Sequence, residues 1–321
     1  MIWKCHVRRV CKVNVLVCLT VFFLMLLAGN VWQTSAASRA RRSAGEGRSR
    51  FAKLDGMRVH YEDFGKGSEA LVFVHGWTCN ADFWQLQVPA FSNRMRVIGV
   101  DLPGHGRSDK PQVAYTQDLF AHSIDVVLRD AKVKRATLVG HSMGAPVVRQ
   151  FYRLHPEKTR ALVLVDGALR LIAPRAAMEG FFAPLKGAQY GAAMSRMVDA
   201  LLGERMPSQL KAQSRAAMLS TPQHVAVSAG EGMLEEAIYK LDSINVPTLA
   251  VFARSPAWPL DNEKFYRSLA SDLDYQMWDG VGHFLMMEKP QKFNETLIAF
   301  LVRNKIALHT IPARNRVIIV N

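Results

Sequence analysis

Cysteine is scarce in this 321-residue chain: there are four, and three of them (Cys5, Cys11 and Cys18) sit close to the amino terminus. With that stretch set aside, Cys79 is left alone. No disulfide framework then staples the body, and Cys79 reads as a packing residue rather than a nucleophile. Paired Cys or His clusters at metal-ligand spacing are also missing, which excludes the common zinc frameworks. A clustered basic face and a nucleic-acid-binding motif are absent too, so no nucleic-acid partner is expected. The net charge of +14 misleads on this point. Nine of the 41 Lys and Arg, and one of the 27 acidic residues, lie in residues 1–50, so that stretch alone carries +8. The remaining +6 is spread along the chain as a solvated surface. No compositional break after residue 50 forces a second domain, and 49% hydrophobic residues suffice for one substantial core.

What is present begins with a targeting pattern. Lys4, Arg8, Arg9 and Lys12 form a positive leader region, and Val15 to Ala28 is apolar apart from Thr20. Ser35-Ala36-Ala37 then supplies the small residues that a signal peptidase reads. The run is short for a membrane span. Extending it to Trp32 takes in Asn30, which leaves an uncleaved anchor as the alternative. Residues 1–37 are therefore expected to be a signal peptide and the protein to be exported, with a membrane association only if the segment stays uncleaved. Residues 38–50 are small, polar and basic, and read as a disordered linker. Ordered structure is expected from Phe51, with Asp55-Gly56 as a hairpin turn.

Short, β-branched apolar runs follow at Ala70–Val74, Arg96–Val100, Ala136–Val139, Ala161–Val165 and Thr248–Phe252. Such runs suit strands buried on both faces of a parallel sheet. Helical patterns, among them Asp118–Asp130 and Pro146–Leu154, lie between them, and the alternation predicts a doubly wound, mostly parallel α/β sheet. Residues 168–240 break the rhythm. They hold six of the 14 methionines and read as a helical lid inserted after the strand that ends at Val165. Met178, Met194, Met197 and Phe181-Phe182 suit either an adaptable apolar pocket or the packing of the lid on the body. The tail from Asn304 to Asn321 is either an edge strand or loose.

Chemistry gathers where strands stop, the edge at which such sheets bind ligands. Gly140-His141-Ser142-Met143-Gly144 stands between a buried strand and a helix. A turn this tight needs glycines where the chain crosses itself, and it leaves the serine strained with its oxygen exposed. The following helix points its positive end at Ser142. Of the ten histidines, His283 stands apart, after a strand at Tyr275–Trp278 and between Gly282 and Phe284. His141 reads as structural. His75 and His105 belong to turns and are expected to bond to backbone, while His60, His122, His155, His224 and His309 carry no signal.

Four motifs in order, His75-Gly76-Trp77, Asp101-Leu102-Pro103-Gly104-His105-Gly106-Arg107-Ser108, Gly140–Gly144 and Gly280-Val281-Gly282-His283-Phe284, resemble the α/β-hydrolase superfamily. The likeness is to its branch of single-domain esterases and pimeloyl-carrier-protein methyl esterases, over residues 51–303. That resemblance implies a serine–histidine–acid triad, no cofactor and water as second substrate, and the expected partner is a small-molecule substrate with a small or medium acyl group. It places oxyanion donors at the backbone N–H groups of Trp77 and Met143. Ser142 becomes the nucleophile and His283 the general base. The Asp101–Ser108 stretch is scaffold, with Asp101 and Arg107 bonding inside it. The acid departs from the pattern. Relatives carry it after the seventh strand, where this chain has Arg254-Ser255-Pro256. Asp166, at the end of Val163-Leu164-Val165, and Asp261, a few residues beyond Pro256, both remain candidates; strand placement favours Asp166, whereas Asp261 suits a helix cap. A serine at position 142 argues against the aspartate-nucleophile siblings. The alternative from another class is a catalytically degenerate scaffold that binds a ligand, supported by the missing carboxylate near Pro256.

Overall fold

The computed structural model describes residues 47–306. The leader at 1–37, most of the linker and the tail beyond Ile306 therefore lie outside the described residues. Among the described residues no helix is long and apolar enough to cross a membrane. The expected linker reaches too far. Arg48, Ser49 and Arg50 belong to strand β1 (Arg48–Leu54), which pairs antiparallel with β2 (Met57–Phe64) from Arg48 opposite Asp63 onwards. Ser49 Oγ bonds His60 Nε2 at 2.9 Å and Arg50 pairs with Asp130 at 2.9 Å. An edge strand has a wet face, so its polar residues looked like linker. Asp55 and Gly56 join the pair with φ of 48° and 84°, the double left-handed turn that matches strand twist.

The remaining apolar runs become β3 (Glu69–Val74), β4 (Arg96–Val100), β5 (Arg135–His141), β6 (Thr159–Val165), β7 (Thr248–Ala253) and β8 (Leu273–Trp278). They form one sheet with β1 and β2 in the order β1-β2-β4-β3-β5-β6-β7-β8, in which β2 alone runs opposite to the other seven strands. The chain steps from β3 outward to β4 and then returns to the far side of β3 for β5. The loops that leave β3 and β5 thus diverge, and a crevice opens between them at the carboxyl edge.

Helices α1 (Val88–Phe91), α2 (Gln117–Asp130) and α3 (Gly144–Leu154) follow, α2 starting where Thr116 Oγ1 accepts the Leu119 N–H at 3.2 Å. Between β6 and β7 lie four more: α4 (Arg175–Phe182), α5 (Tyr190–Leu202), α6 (Ser208–Leu219) and α7 (Gln223–Gly232). Pro174, Pro207 and Pro222 immediately precede α4, α6 and α7, where a missing N–H costs nothing. The insertion's exit is tied to α3: Arg149, 1% exposed, donates to the Asp242 carbonyl at 2.5 Å, and Arg153 pairs with the same residue's carboxylate at 2.8 Å. Three more helices follow among the described residues, α8 (Asn262–Leu269), α9 (Leu285–Glu288) and α10 (Pro290–Arg303). Trp84 stacks on Phe73 of β3 at 4.7 Å and meets Phe293 of α10 at 6.2 Å, so one continuous apolar core runs from sheet to helices.

Candidate active site

The turn between β5 and α3 is as tight as its glycines suggest. A Cβ on Gly140 would sit 2.2 Å from the Gly144 carbonyl oxygen, and one on Gly144 would sit 2.6 Å from that of Val74. Ser142 is held at φ 53°, with its N–H on the Val165 carbonyl at 2.9 Å. Asp166, one residue past the end of β6, is also left-handed at φ 45°. Asp tolerates that conformation better than most residues. Its N–H bonds the Val251 carbonyl at 2.8 Å, and its Oδ1 accepts the Ala253 N–H at 2.8 Å. The carboxylate is therefore locked between β6 and β7 with Oδ2 turned to the crevice.

There Oδ2 lies 2.7 Å from His283 Nδ1, and His283 Nε2 lies 2.9 Å from Ser142 Oγ. A carboxylate can only accept, so Nδ1 carries the ring proton and the Nε2 lone pair faces the serine hydroxyl. That arrangement can take a proton from Ser142 as its oxygen attacks. The loop carrying His283 is gripped on both sides. Glu288 Oε2 accepts the Gly282 N–H at 2.8 Å, and His141 Nε2–H donates to the His283 carbonyl at 2.9 Å.

Asp261, the other candidate acid, is not brought to this group. It stands at the N-cap position of α8 without making a cap bond, and its carboxylate pairs with Arg170 at 2.5 Å. Beside a guanidinium a carboxylate gains more than at a helix start it shares with water. Trp77 and Met143 both line the crevice, and among the described residues no protein acceptor takes either backbone N–H. Asp101 and Arg107 stay in the scaffold and bond to each other as expected, but both also bond outside their stretch, Arg107 through its guanidinium to Glu62 on β2 at 2.5 Å. Asp101 receives the Ala81 N–H at 2.7 Å and the Arg107 N–H at 2.9 Å. Burial would push its carboxyl up, but bonds from His60 and these amides outweigh it and hold the pKa at about 2.

His60 and Glu288 carried no signal in the sequence. His60, on β2, donates to Asp101 across 41 residues of chain, and Glu288 acts through a backbone N–H that any residue could offer. His75 and His105 do bond backbone: their Nδ1–H groups donate to Gly76 and Pro103, and their Nε2 atoms accept from Leu102 and Thr78. Burial lowers the pKa of both and of His141, keeping all three rings neutral. Cys79 is buried in the wall, and burial pushes its thiol up, away from thiolate chemistry.

A cavity of about 850 Å³ opens over Ser142, walled by the sheet edge and by the insertion. Trp77, Met178, Phe182, Leu201, Met218 and Trp258 make it predominantly apolar. Met194 is buried in the hydrophobic core and Met197 packs against it, and neither lines the cavity. Among the described residues no cluster of three His, Cys, Asp or Glu could hold a metal ion.

Comparison with known proteins agrees with this fold. A hydrolase of 2-hydroxy-6-oxononadienedioate and 2-hydroxy-6-oxononatrienedioate from Paraburkholderia phymatum is 28% identical over 273 residues, which is 76% of this chain and 91% of that protein. The pimeloyl-[acyl-carrier protein] methyl ester esterase of Aeromonas hydrophila is 29% identical over 265 residues, 76% of this chain and 100% of the relative. The solved structure of an esterase from Exiguobacterium antarcticum shares the fold, with a TM-score of 0.71 at 20% identity over 79% of this chain and 100% of that one. The family model described as alpha/beta hydrolase fold matches residues 69–290, more than two thirds of the sequence, and the chain belongs to that family.

Proposed function

We propose that this chain is an exported serine hydrolase of the carboxylesterase type that forms an acyl-enzyme on Ser142. The observation that carries the reading is the relay of two short contacts, Ser142 Oγ to His283 Nε2 and His283 Nδ1 to Asp166 Oδ2. In the first half-reaction Ser142 Oγ bonds to the acyl carbon while its proton passes to His283 Nε2. The carbonyl π pair moves to oxygen, where the N–H groups of Trp77 and Met143 stabilise it. As the intermediate collapses, His283 returns the proton to the leaving alcohol. Water repeats the sequence and frees the acid. Asp166 keeps the ring in the correct tautomer and stabilises its charged form. The insertion acts as the lid that walls the acyl site.

The lining of the cavity favours an uncharged acyl group over a dicarboxylate such as the Paraburkholderia relative's substrate. Of the arginines around it, Arg170 is neutralised by Asp261 and Arg254 by Asp279, leaving the exposed Arg205 beside Glu204. Export rests on the leader pattern at the amino terminus.

The test is hydrolysis of p-nitrophenyl butyrate by the full chain, together with labelling by a fluorophosphonate. Ser142→Ala should lower kcat by about 10⁶-fold, and Asp166→Asn by about 10⁴-fold. Asp261→Asn removes only an exposed ion pair and should leave the rate within about twofold. A parent chain that neither turns over the ester nor labels would instead be the degenerate, ligand-binding scaffold.

A further inference from the structure

The loop that follows β3 is held in place from outside, by the insertion. Residues Gly76–Cys79 form a four-residue turn closed by the Cys79 N–H on the Gly76 carbonyl at 3.2 Å. Its third residue, Thr78, has φ 56°. Turns that need a left-handed residue there ordinarily use Gly or Asn, and a β-branched side chain is an outlier. Such a conformation persists only where the surroundings over-determine it.

The surroundings are identifiable. Thr78 N–H is taken by His105 Nε2 at 3.3 Å, from the loop after β4. Its carbonyl accepts the Thr221 hydroxyl at 3.2 Å. One residue earlier, the Trp77 indole N–H donates to the Ala226 carbonyl in α7 at 2.8 Å, and the ring meets Phe182 of α4 edge-on at 5.8 Å. All of these except the His105 bond come from the insertion. The segment supplying them is itself fixed to the body. Ser228 Oγ accepts the Tyr115 N–H at 2.9 Å, and a Cβ on Gly232 would lie 2.6 Å from the Tyr115 carbonyl oxygen. Thr221 is 5% exposed and Ala226 fully buried.

We infer that Thr221 and α7 are positioning elements of the oxyanion hole: they hold the strained Trp77–Thr78 turn so that the Trp77 backbone N–H points at the substrate carbonyl oxygen. The inference rests on the proposal above that this N–H is an oxyanion donor. The consequence is specific. When Ser142 Oγ attacks, negative charge appears on the carbonyl oxygen only in the transition state, so a displaced donor weakens the transition state and leaves ground-state binding in the apolar cavity alone. The effect belongs in kcat and not in KM.

The experiment compares the full chain with Thr221→Val, which removes the hydroxyl at nearly constant shape, and Thr221→Ser, which keeps it. Trp77→Phe is a second, independent variant that retains a ring against Phe182 and loses the indole N–H. Each is assayed on p-nitrophenyl butyrate and on its thionoester, whose C=S sulfur is a weak hydrogen-bond acceptor. Thr221→Val and Trp77→Phe should each lower kcat on the ester about tenfold, a fraction of what removal of a whole donor costs. KM should hold within about twofold, the thionoester rate should fall less than the ester rate, and Thr221→Ser should restore kcat. Unchanged kcat in both variants, or equal losses on ester and thionoester, would overturn the positioning role while leaving the parent an active hydrolase. A parent inactive on the ester and unlabelled by fluorophosphonate would be a different failure, that of the proposed activity itself.

Discussion

At the carboxyl edge of the sheet, Thr78, Ser142 and Asp166 sit at positive φ, and a Cβ on Gly140 or Gly144 would meet backbone at closer than normal contact. In the insertion above it, α4 buries only Phe182, α6 buries only Ser214 and Met218, and Gly180 and Gly191 have open space around them. Both regions line the same cavity. The edge, however, is defined by backbone against backbone, where a displacement of a few tenths of an ångström has nowhere to go. Most of the insertion is defined by side chains resting on the edge, and helix α7 is the exception, because hydrogen bonds fix it to the loops below. Reaction geometry and substrate shape are thus assigned to parts of the molecule with different tolerance for change.

The sharpest contrast is a methyl group added to a glycine at the edge. Gly140→Ala puts Cβ 2.2 Å from a main-chain carbonyl in the turn, and no flexible side chain is there to yield. The cost should exceed about 4 kcal/mol, the range in which single substitutions abolish folding. Thermal unfolding followed by circular dichroism should find no cooperative transition at physiological temperature. A cooperative melt near that of the parent would mean the elbow is looser than its contacts state.

Acid should act on the edge in the same way. The unfolded chain takes a proton on His105 near its ordinary pKa of 6.5, whereas burial, with neighbouring His75 adding to it, lowers the folded value to about 3. A base whose folded pKa is depressed contributes nothing at pH 7, and stability is then lost steadily as pH falls from 6.5 toward 3, at about 1.4 kcal/mol per pH unit. His105 alone accounts for about 5 kcal/mol over that span, and His75 and His141 act in the same direction. Asp101, held at about 2, keeps its contribution until pH falls below about 4. Urea unfolding between pH 7 and pH 4 should therefore show a steep decline, and His105→Gln should reduce its slope by about one proton. An unchanged slope would place the acid-sensitive groups elsewhere.

Sequence patterns reached the edge far better than they reached its supports. Short β-branched runs marked five of the eight strands, because a strand buried on both faces leaves little compositional freedom. Ser142 and Asp166 were visible because each directly follows a buried strand, and His283 because it stands between Gly282 and Phe284 in the loop after β8. The hold on His283 was not visible: Glu288 acts on a main-chain N–H and His141 on a main-chain carbonyl, groups common to every residue. The same applies to Ala226, whose carbonyl receives Trp77 across 149 positions. Strand β1 began three residues early because one exposed face carries the same polar residues as a linker.

The smallest effect tests the looser side of the comparison. Gly180 lies exposed in α4, and a Cβ there meets nothing within 4 Å. Glycine inside a helix gives up more backbone entropy on folding than alanine, so Gly180→Ala should stabilise the protein by about 0.5–1 kcal/mol. For a domain of this size that is an increase of about 2–4 °C in melting temperature per kcal/mol. Differential scanning calorimetry resolves such a shift, and kcat on p-nitrophenyl butyrate should stay at the parent value. A lowered melting temperature, or a lost rate at unchanged stability, would show that α4 needs the freedom its glycine gives. The insertion would then share the backbone-level constraint that separates the edge from it.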